Sequence, residues 1–354
     1  MLVEAYAERV LSAFGPEGDA NEALVLADYF LERDELRLAA SALDRAFGLR
    51  PDDPHLARQR EGILDRLAVT EHGLRFRYVP AGTFLMGSDD GEPDEWPVHP
   101  VRLDGFWITE IPLTWSAHCQ LMGFHPPPSG FPPGEWDDWN EEERATWLGA
   151  RICLQYCETS TREARDWHAH HPDTDEEFFG RPEREDPSRP YQYDVKPVVA
   201  VSWGAADTLS RRLSTDELVY GLPTEPQWEK AARGGLVGAR YSWGDRPADR
   251  TLCDCDRFGE FSIRPQQAFP RNGYGLQGVC GGVWEWTAAH YDALAYLPEP
   301  ERPPVDDDAE LLRVVRGGSW ADAPEACTVS FRHSRAQDDS TSPNVGYRLC
   351  RLER

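Results

Sequence analysis

The chain has 354 residues, 40% of them apolar, and a formal net charge of −25. That length supports one large domain with a small second one, and that apolar fraction supports a sizeable core. The charge argues against a general nucleic-acid binder, because phosphate contacts need clustered lysine and arginine, and no run of about 18 apolar residues is present to span a membrane.

The N-terminus, Met1-Leu-Val-Glu-Ala-Tyr-Ala-Glu-Arg9, places acids where a secretory leader needs bases. A cytoplasmic location is therefore expected, in which the eight cysteines are reduced thiols. Cys153-x-x-x-Cys157 and Cys253-Asp-Cys255 lack zinc-ribbon spacing. They are expected to pack as small buried hydrophobes, with Cys253 and Cys255 able to meet other ligands in space.

Residues 1–70 read as helices, with Leu24, Leu26, Ala27 and Phe30, then Ala39, Leu43 and Ala46, at helical spacing. Pro51-Asp-Asp53 stops the pattern. The positions of Ala27, Phe30, Ala39, Ala46 and Pro51 resemble one tetratricopeptide repeat. About three such repeats are normally needed to bury their own faces. The segment is thus expected to pack on the main domain or on a second subunit, the latter making a homodimer. A partner-binding arm is the alternative.

At residue 73 the pattern changes. Leu74, Phe76 and Tyr78 alternate with Arg75, Arg77 and Val79, which predicts a strand. Residues 80–83 then form a turn, and residues 84–86 pair back. Residues 101–108 predict the next strand, and residues 114–122 a helix with Trp115, Cys119 and Met122 on one face. Residues 124–196 interrupt this texture with Pro126-Pro-Pro128 and a strongly acidic run containing a predicted helix over 141–169. Such an insertion is expected at the surface, as a solvated face or as the wall of a ligand site. Within it, His168 and His171 lie three apart, a spacing that can chelate a metal. Residues 197–203 predict a strand and 204–215 a helix. A further helix over 223–232 starts at Thr224, with Pro226 in its first turn and Gln227 completing a capping box. Beyond it the chain is rich in glycine, proline and tryptophan, the texture of an irregular α+β domain with short strands.

Four segments occur in order in the last two-thirds: Phe84-Leu-Met-Gly87, Gly221-Leu-Pro-Thr-Glu-Pro-Gln-Trp-Glu-Lys-Ala-Ala-Arg-Gly-Gly235, Gly281-Gly-Val-Trp-Glu-Trp-Thr287 and Arg316-Gly-Gly-Ser-Trp320. Asn344-Val-Gly-Tyr-Arg-Leu349 closes the chain. Together they resemble the formylglycine-generating enzyme (sulfatase-modifying factor) family over roughly residues 73–354. The resemblance implies an α+β, C-type-lectin-like domain over 73–354, carrying the insertion 124–196, behind a small helical domain over 1–72.

The family's chemistry rests on two cysteines shortly after Gly-Gly-Ser, which bind copper(I). Carried over, they fall at Asp322 and Cys327. Carboxylate is a hard ligand and copper(I) a soft ion, so formylglycine generation is not expected, and Cys327 is the catalytic candidate only if the chain is an enzyme. Ser319 and Trp284 match other family positions near that site. A second enzyme branch, similar to the sulfoxide synthase of ergothioneine synthesis, holds iron on a His-x-x-x-His-x-Glu motif in a helical domain. Residues 1–72 contain only His55 and His72. The resemblance also implies a calcium site that uses Glu285 of Trp-Glu-Trp and an asparagine that here is Gly278. Losing that ligand weakens the site without abolishing it.

Residues 316–349 also look like the variable region of diversity-generating-retroelement target proteins. Mutagenesis at adenines of asparagine codons reaches Ala, Asp, Thr, Ser, Phe and His. Ala321, Asp322, Ala323, Ala326, Thr328, Ser330, Phe331 and His333 all fall in that set, between framework residues such as Gly317, Gly318, Trp320, Arg332 and Gly346. The favoured reading is a non-catalytic protein that binds a protein or small molecule on residues 320–337, without a redox cofactor. Trp320 and Phe331 would supply apolar contact, and Asp322 and His333 polar contact. The alternatives are a diverged metal-dependent oxidase or sulfur–carbon bond-forming enzyme, and an interaction adaptor working through the N-terminal repeat.

Overall fold

The computed structural model describes residues 6–7, 10–11, 18–123, 195–257, 263–298, 311–339 and 342–353. Residues 124–194 of the acidic insertion, with its His168–His171 pair, Cys153 and Cys157, lie outside these residues.

Three helices lead the fold: α1 (Ala20–Leu31), α2 (Leu36–Leu49) and α3 (Pro54–Leu67). Asp19 caps α1 by accepting the Asn21 amide at 2.8 Å, and Asp53 caps α3 through the His55 and Leu56 amides. Ala23, Ala27, Ala39, Ala42 and Ala46 are fully buried. Such small contact residues let α1 and α2 approach closely.

The main domain covers the outer face of these helices. Arg60 of α3 is buried, pairs with Asp44 at 2.6 Å, and donates to the carbonyls of Gly234 at 2.9 Å and Gly273 at 3.1 Å. Trp107 donates to the Leu67 carbonyl at 2.8 Å, and Arg37 pairs with Glu353 at 2.7 Å. The apolar residues of both parts form one continuous core. Deleting residues 1–68 is therefore expected to expose Phe76 and Trp107, both buried in the intact chain. Lower solubility and binding of a hydrophobic dye by the fragment would show this. A fragment as soluble and dye-silent as the full chain would count against it.

The larger sheet is antiparallel throughout and runs β1 (Val69–Glu71), β2 (Leu74–Val79), β5 (Phe106–Thr109), β11 (Cys350–Glu353), β6 (Leu218–Gly221). The last strand thus inserts between two earlier ones. A second sheet runs β10 (Val345–Tyr347), β7 (Trp284–His290), β8 (Leu312–Arg316), β9 (Arg332–Ala336). Its β10–β7 pair is parallel and sets Trp284 opposite Val345. A two-stranded ribbon joins β3 (Gly82–Met86) to β4 (His99–Leu103). Three helices complete the domain: α4 (Trp115–Met122), α5 (Trp203–Leu213) and α6 (Glu225–Arg233).

Three sequence expectations are corrected. Residues 84–86 pair with β4 rather than with β2, Phe84 opposite Val101. The buried Lys230 ammonium binds the carbonyls of Pro80 at 2.6 Å and Gly82 at 3.0 Å, which diverts the chain from the sheet. The single strand expected over 101–108 is two, broken at Asp104-Gly105. A Cβ at Gly105 would overlap the Tyr78 ring, so the crossing between sheets needs glycine. Residues 197–203 form no strand beyond one isolated Thr114–Pro197 bridge. Val198, Val199 and Val201 are core residues, but Ala200 has φ +58°. That left-handed step breaks the pleat, and the Ala200 amide bonds Ser342 instead.

Candidate functional site

Helix α6 organises the region. The Thr224 hydroxyl accepts the Gln227 amide, and the Gln227 side chain accepts the Thr224 amide at 2.9 Å, so the predicted capping box is formed. Gly234, at φ 60°, ends the helix in the left-handed region. One face then presents Glu225, Trp228, Glu229 and Arg233, all buried. Glu229 accepts Arg233 at 2.6 Å, the Gly87 amide at 2.8 Å, and Arg316. Glu225 accepts Arg332 at 2.7 Å and Arg316 at 3.4 Å. Burial pushes the Glu229 carboxyl up, yet the Arg233 and Arg316 guanidiniums beside it hold it below its ordinary value. Four separated segments of the sequence thus meet in one buried charged cluster.

Glu285 is fully engaged. It accepts Arg348 Nε at 2.8 and 2.9 Å and Trp228 Nε1 at 2.7 Å. Arg348 also takes the carbonyls of Thr109, Glu110 and Gln277. A calcium ion needs six to eight oxygens, and here the oxygens are turned onto a guanidinium. An asparagine at Gly278, where φ is +62°, would run into Gln266. These residues do not fit the calcium site expected at Glu285.

The position of the first family cysteine holds Asp322, whose carboxylate accepts the Ser319 hydroxyl. Cys327 is buried behind it. This pair does not fit copper(I). The structure does, however, bring a third loop into contact. Cys253 Sγ and Cys255 Sγ are 3.1 Å apart, and Cys327 lies beside Cys255. Contacts with Cys253 and Cys327 draw the Cys255 thiol below its ordinary value, while the same contacts push both neighbours up. The loop is fixed by Asp254, which pairs with Arg257 at 2.6 Å, and by Arg257 and Asp256 amides bonded to the Trp320 and Asp322 carbonyls. Spacing showed two free thiols, whereas their approach to Cys327 depends on the fold. Among the described residues no group of three or more His, Cys, Asp or Glu side chains is placed to hold a metal ion. His55 lies in the first turn of α3, whereas His72 lies in the turn between β1 and β2, edge-on to Tyr220 at 5.4 Å.

The predicted binding residues separate into groups. Trp320 is 1% exposed and donates to the Pro343 carbonyl, so it presents no face to a ligand. It is a core residue. Ala323 is exposed, Ala321, Asp322, Ala326, Phe331 and His333 are half-buried, and Thr328 and Ser330 are buried. Phe331 and His333 lean on the Trp284 ring at 6.0 and 5.2 Å. Burial, and then Arg335, lower the His333 pKa.

Thr328, Ser330 and Phe331 form one wall of a cleft of about 700 Å³, opposite the loop that follows Gly87. The other predicted positions do not line it. Leu85 and Val98 add apolar surface, Glu95 lies buried in its floor, and Asp89, Asp90, Asp245 and Glu325 are exposed along it. The 88–95 loop was missed in the sequence because Asp89-Asp90 reads as an ordinary solvated turn. Its approach to Phe331 follows from the anchoring of Gly87 to Glu229.

Short sheets and glycine turns around a buried charged cluster define a C-type-lectin-like domain of the formylglycine-generating type. The model of the Sulfatase-modifying factor enzyme 1-like domain matches residues 70–352, and the chain belongs to that family. A formylglycine-generating enzyme of Streptomyces coelicolor is 31% identical over 296 residues, which is 76% of this chain and 87% of that one. The inactive C-alpha-formylglycine-generating enzyme 2 of Mus musculus is 30% identical over 296 residues, 77% of this chain and 83% of that one. Treponema denticola variable protein 1 shares the fold, with a TM-score of 0.51 at 18% identity over 80% of this chain and 97% of that chain.

Proposed function

We propose that this protein is a non-catalytic, ligand-binding member of its family, with the ligand held in the cleft walled by Thr328, Ser330 and Phe331. The observation that carries this is Asp322, a hard carboxylate tied to Ser319 where copper chemistry needs a soft thiolate. Relatives of similar identity bear both active and inactive names, so family membership alone selects neither. Sharing a fold with a protein named as variable supports the reading of a fold that tolerates change on its surface. All five described cysteines are free thiols, which supports a reducing, cytoplasmic setting.

Purified protein is expected to leave the cysteine of a sulfatase-motif peptide unchanged, with or without copper(I), as read by peptide mass. Asp322→Cys is expected to raise copper(I) affinity about tenfold or more, one soft ligand replacing a hard one. Formylglycine formation by the wild-type chain would overturn the proposal. The Cys255–Cys327 contact favours a second reading, a diverged copper oxidase in which Cys255 supplies the missing thiol. Stoichiometric copper(I) on wild-type protein, lost in Cys255→Ser, would replace the first reading with the second.

A further inference from the structure

We propose that the cleft selects an organic cation, an ammonium or guanidinium group received by the Glu95 carboxylate. This rests on the binding reading above and adds the chemical class of the ligand. Glu95 is 2% exposed and ends a short 3₁₀ turn, Pro93–Glu95, in the cleft floor. Its Oε1 accepts the Glu92 amide at 3.0 Å, whereas its Oε2 is buried and makes no hydrogen bond. A buried carboxylate with an open acceptor is costly unless a donor reaches it.

The terminal nitrogens of the internal cations near it are committed elsewhere. Arg233 is bonded to Glu229 and to the Gly87 carbonyl at 2.8 Å. Arg316 turns its terminal nitrogens to Glu225, Glu229 and the carbonyls of Val329 and Ser330. Burial pushes the Glu95 carboxyl up, opposed by Ser330, the Glu92 amide and Arg316. A bound cation would favour the charged form.

The cleft above this carboxylate suits the same ligand. Asp89, Asp90, Glu92, Asp245 and Glu325 lie along it, against Arg240 and the committed Arg233. Walls of one charge sign concentrate ions of the other. Phe331 offers an aromatic surface to a cation, and Leu85 and Val98 offer apolar contact to its alkyl stem. The volume, about 700 Å³, suits a small organic ligand. An anion would meet repulsion here, and an apolar ligand would leave Glu95 unsatisfied.

The test is calorimetric titration, at physiological salt, with agmatine, cadaverine and glutarate. Saturable one-site binding of agmatine or cadaverine is expected, and their relative affinity tells guanidinium from ammonium recognition. Glu95→Gln keeps the acceptor for the Glu92 amide and is expected to weaken binding about tenfold, the usual effect of removing a charged partner. Glu325→Gln, at the exposed rim, is expected to weaken it only about twofold. Should Glu95→Gln not fold, Phe331→Ala serves instead, with an expected loss of about fivefold. Equal binding by wild type and Glu95→Gln would overturn the inference by reducing it to diffuse attraction to an acidic protein. So would the failure of both cations to bind below about 10 mM. Glutarate binding that is lost in Phe331→Ala would overturn the ligand class and leave the binding reading standing. Turnover of the sulfatase-motif peptide would remove the binding reading itself.

Discussion

Arg316→Met should destabilise the protein by about 3–5 kcal/mol, the range for breaking a buried ion pair by removing one partner. Arg316 is fully buried and bridges Glu225 and Glu229, while its terminal nitrogens also satisfy the carbonyls of Ser330 at 2.7 Å and Val329 at 2.9 Å. Without it, Glu225 retains Arg332 and Glu229 retains Arg233, but two buried carbonyls lose their donor and each carboxylate loses one of its charged partners. Lysine should not rescue the site, because a point charge cannot serve two carboxylates and two carbonyls as the planar fork does. Denaturant unfolding of Arg316→Met and Arg316→Lys measures this. A loss below about 1 kcal/mol in Arg316→Met, that of an ordinary substitution, would mean that the cluster does not organise the core.

His118 should make the fold acid-sensitive through one identifiable group. Its ring is fully buried, its Nδ1 is 2.6 Å from the Tyr347 hydroxyl, and burial lowers its pKa from 6.5 to about 4. The unfolded chain takes up a proton that the folded chain refuses. The stabilising term is therefore complete above about pH 6.5 and is lost as pH falls toward about 4. Its full size is about 3 kcal/mol, from the shift and the energy of a pKa unit. Paired carboxylates such as Glu229 also lose stability on acidification, so the test is a difference. Unfolding free energies at pH 7 and pH 4.5 should fall about 2 kcal/mol further in wild type than in His118→Gln. Equal falls in the two proteins would show that His118 is protonated, or accommodated, in the folded state.

Legibility in the sequence followed range. The capping box at Thr224, the stop at Gly234, the helix pattern of residues 20–49 and the alternation of β2 were all readable, because each depends on residues within a turn or two. The partner of residues 82–86 was not, because it is decided by the Lys230 ammonium about 150 positions away. Trp320 illustrates the same limit. Its side chain reads equally well as a surface anchor or a core residue, and only its burial beneath Pro343 decides.

By itself, the sequence determined the family, the mixed architecture with helices in front, and the substitution of Asp322 for a cysteine that copper chemistry needs. Those conclusions rest on residue type and order, which need no geometry. The tertiary structure alone decided that Glu285 is spent on Arg348, that Cys255 meets Cys327, and that Glu95 and Phe331 line one cleft. The reason is physical. Local signals act through the backbone within a few residues. These pairs join residues dozens to hundreds of positions apart, whose meeting depends on how sheets, turns and the buried charged cluster route the chain between them.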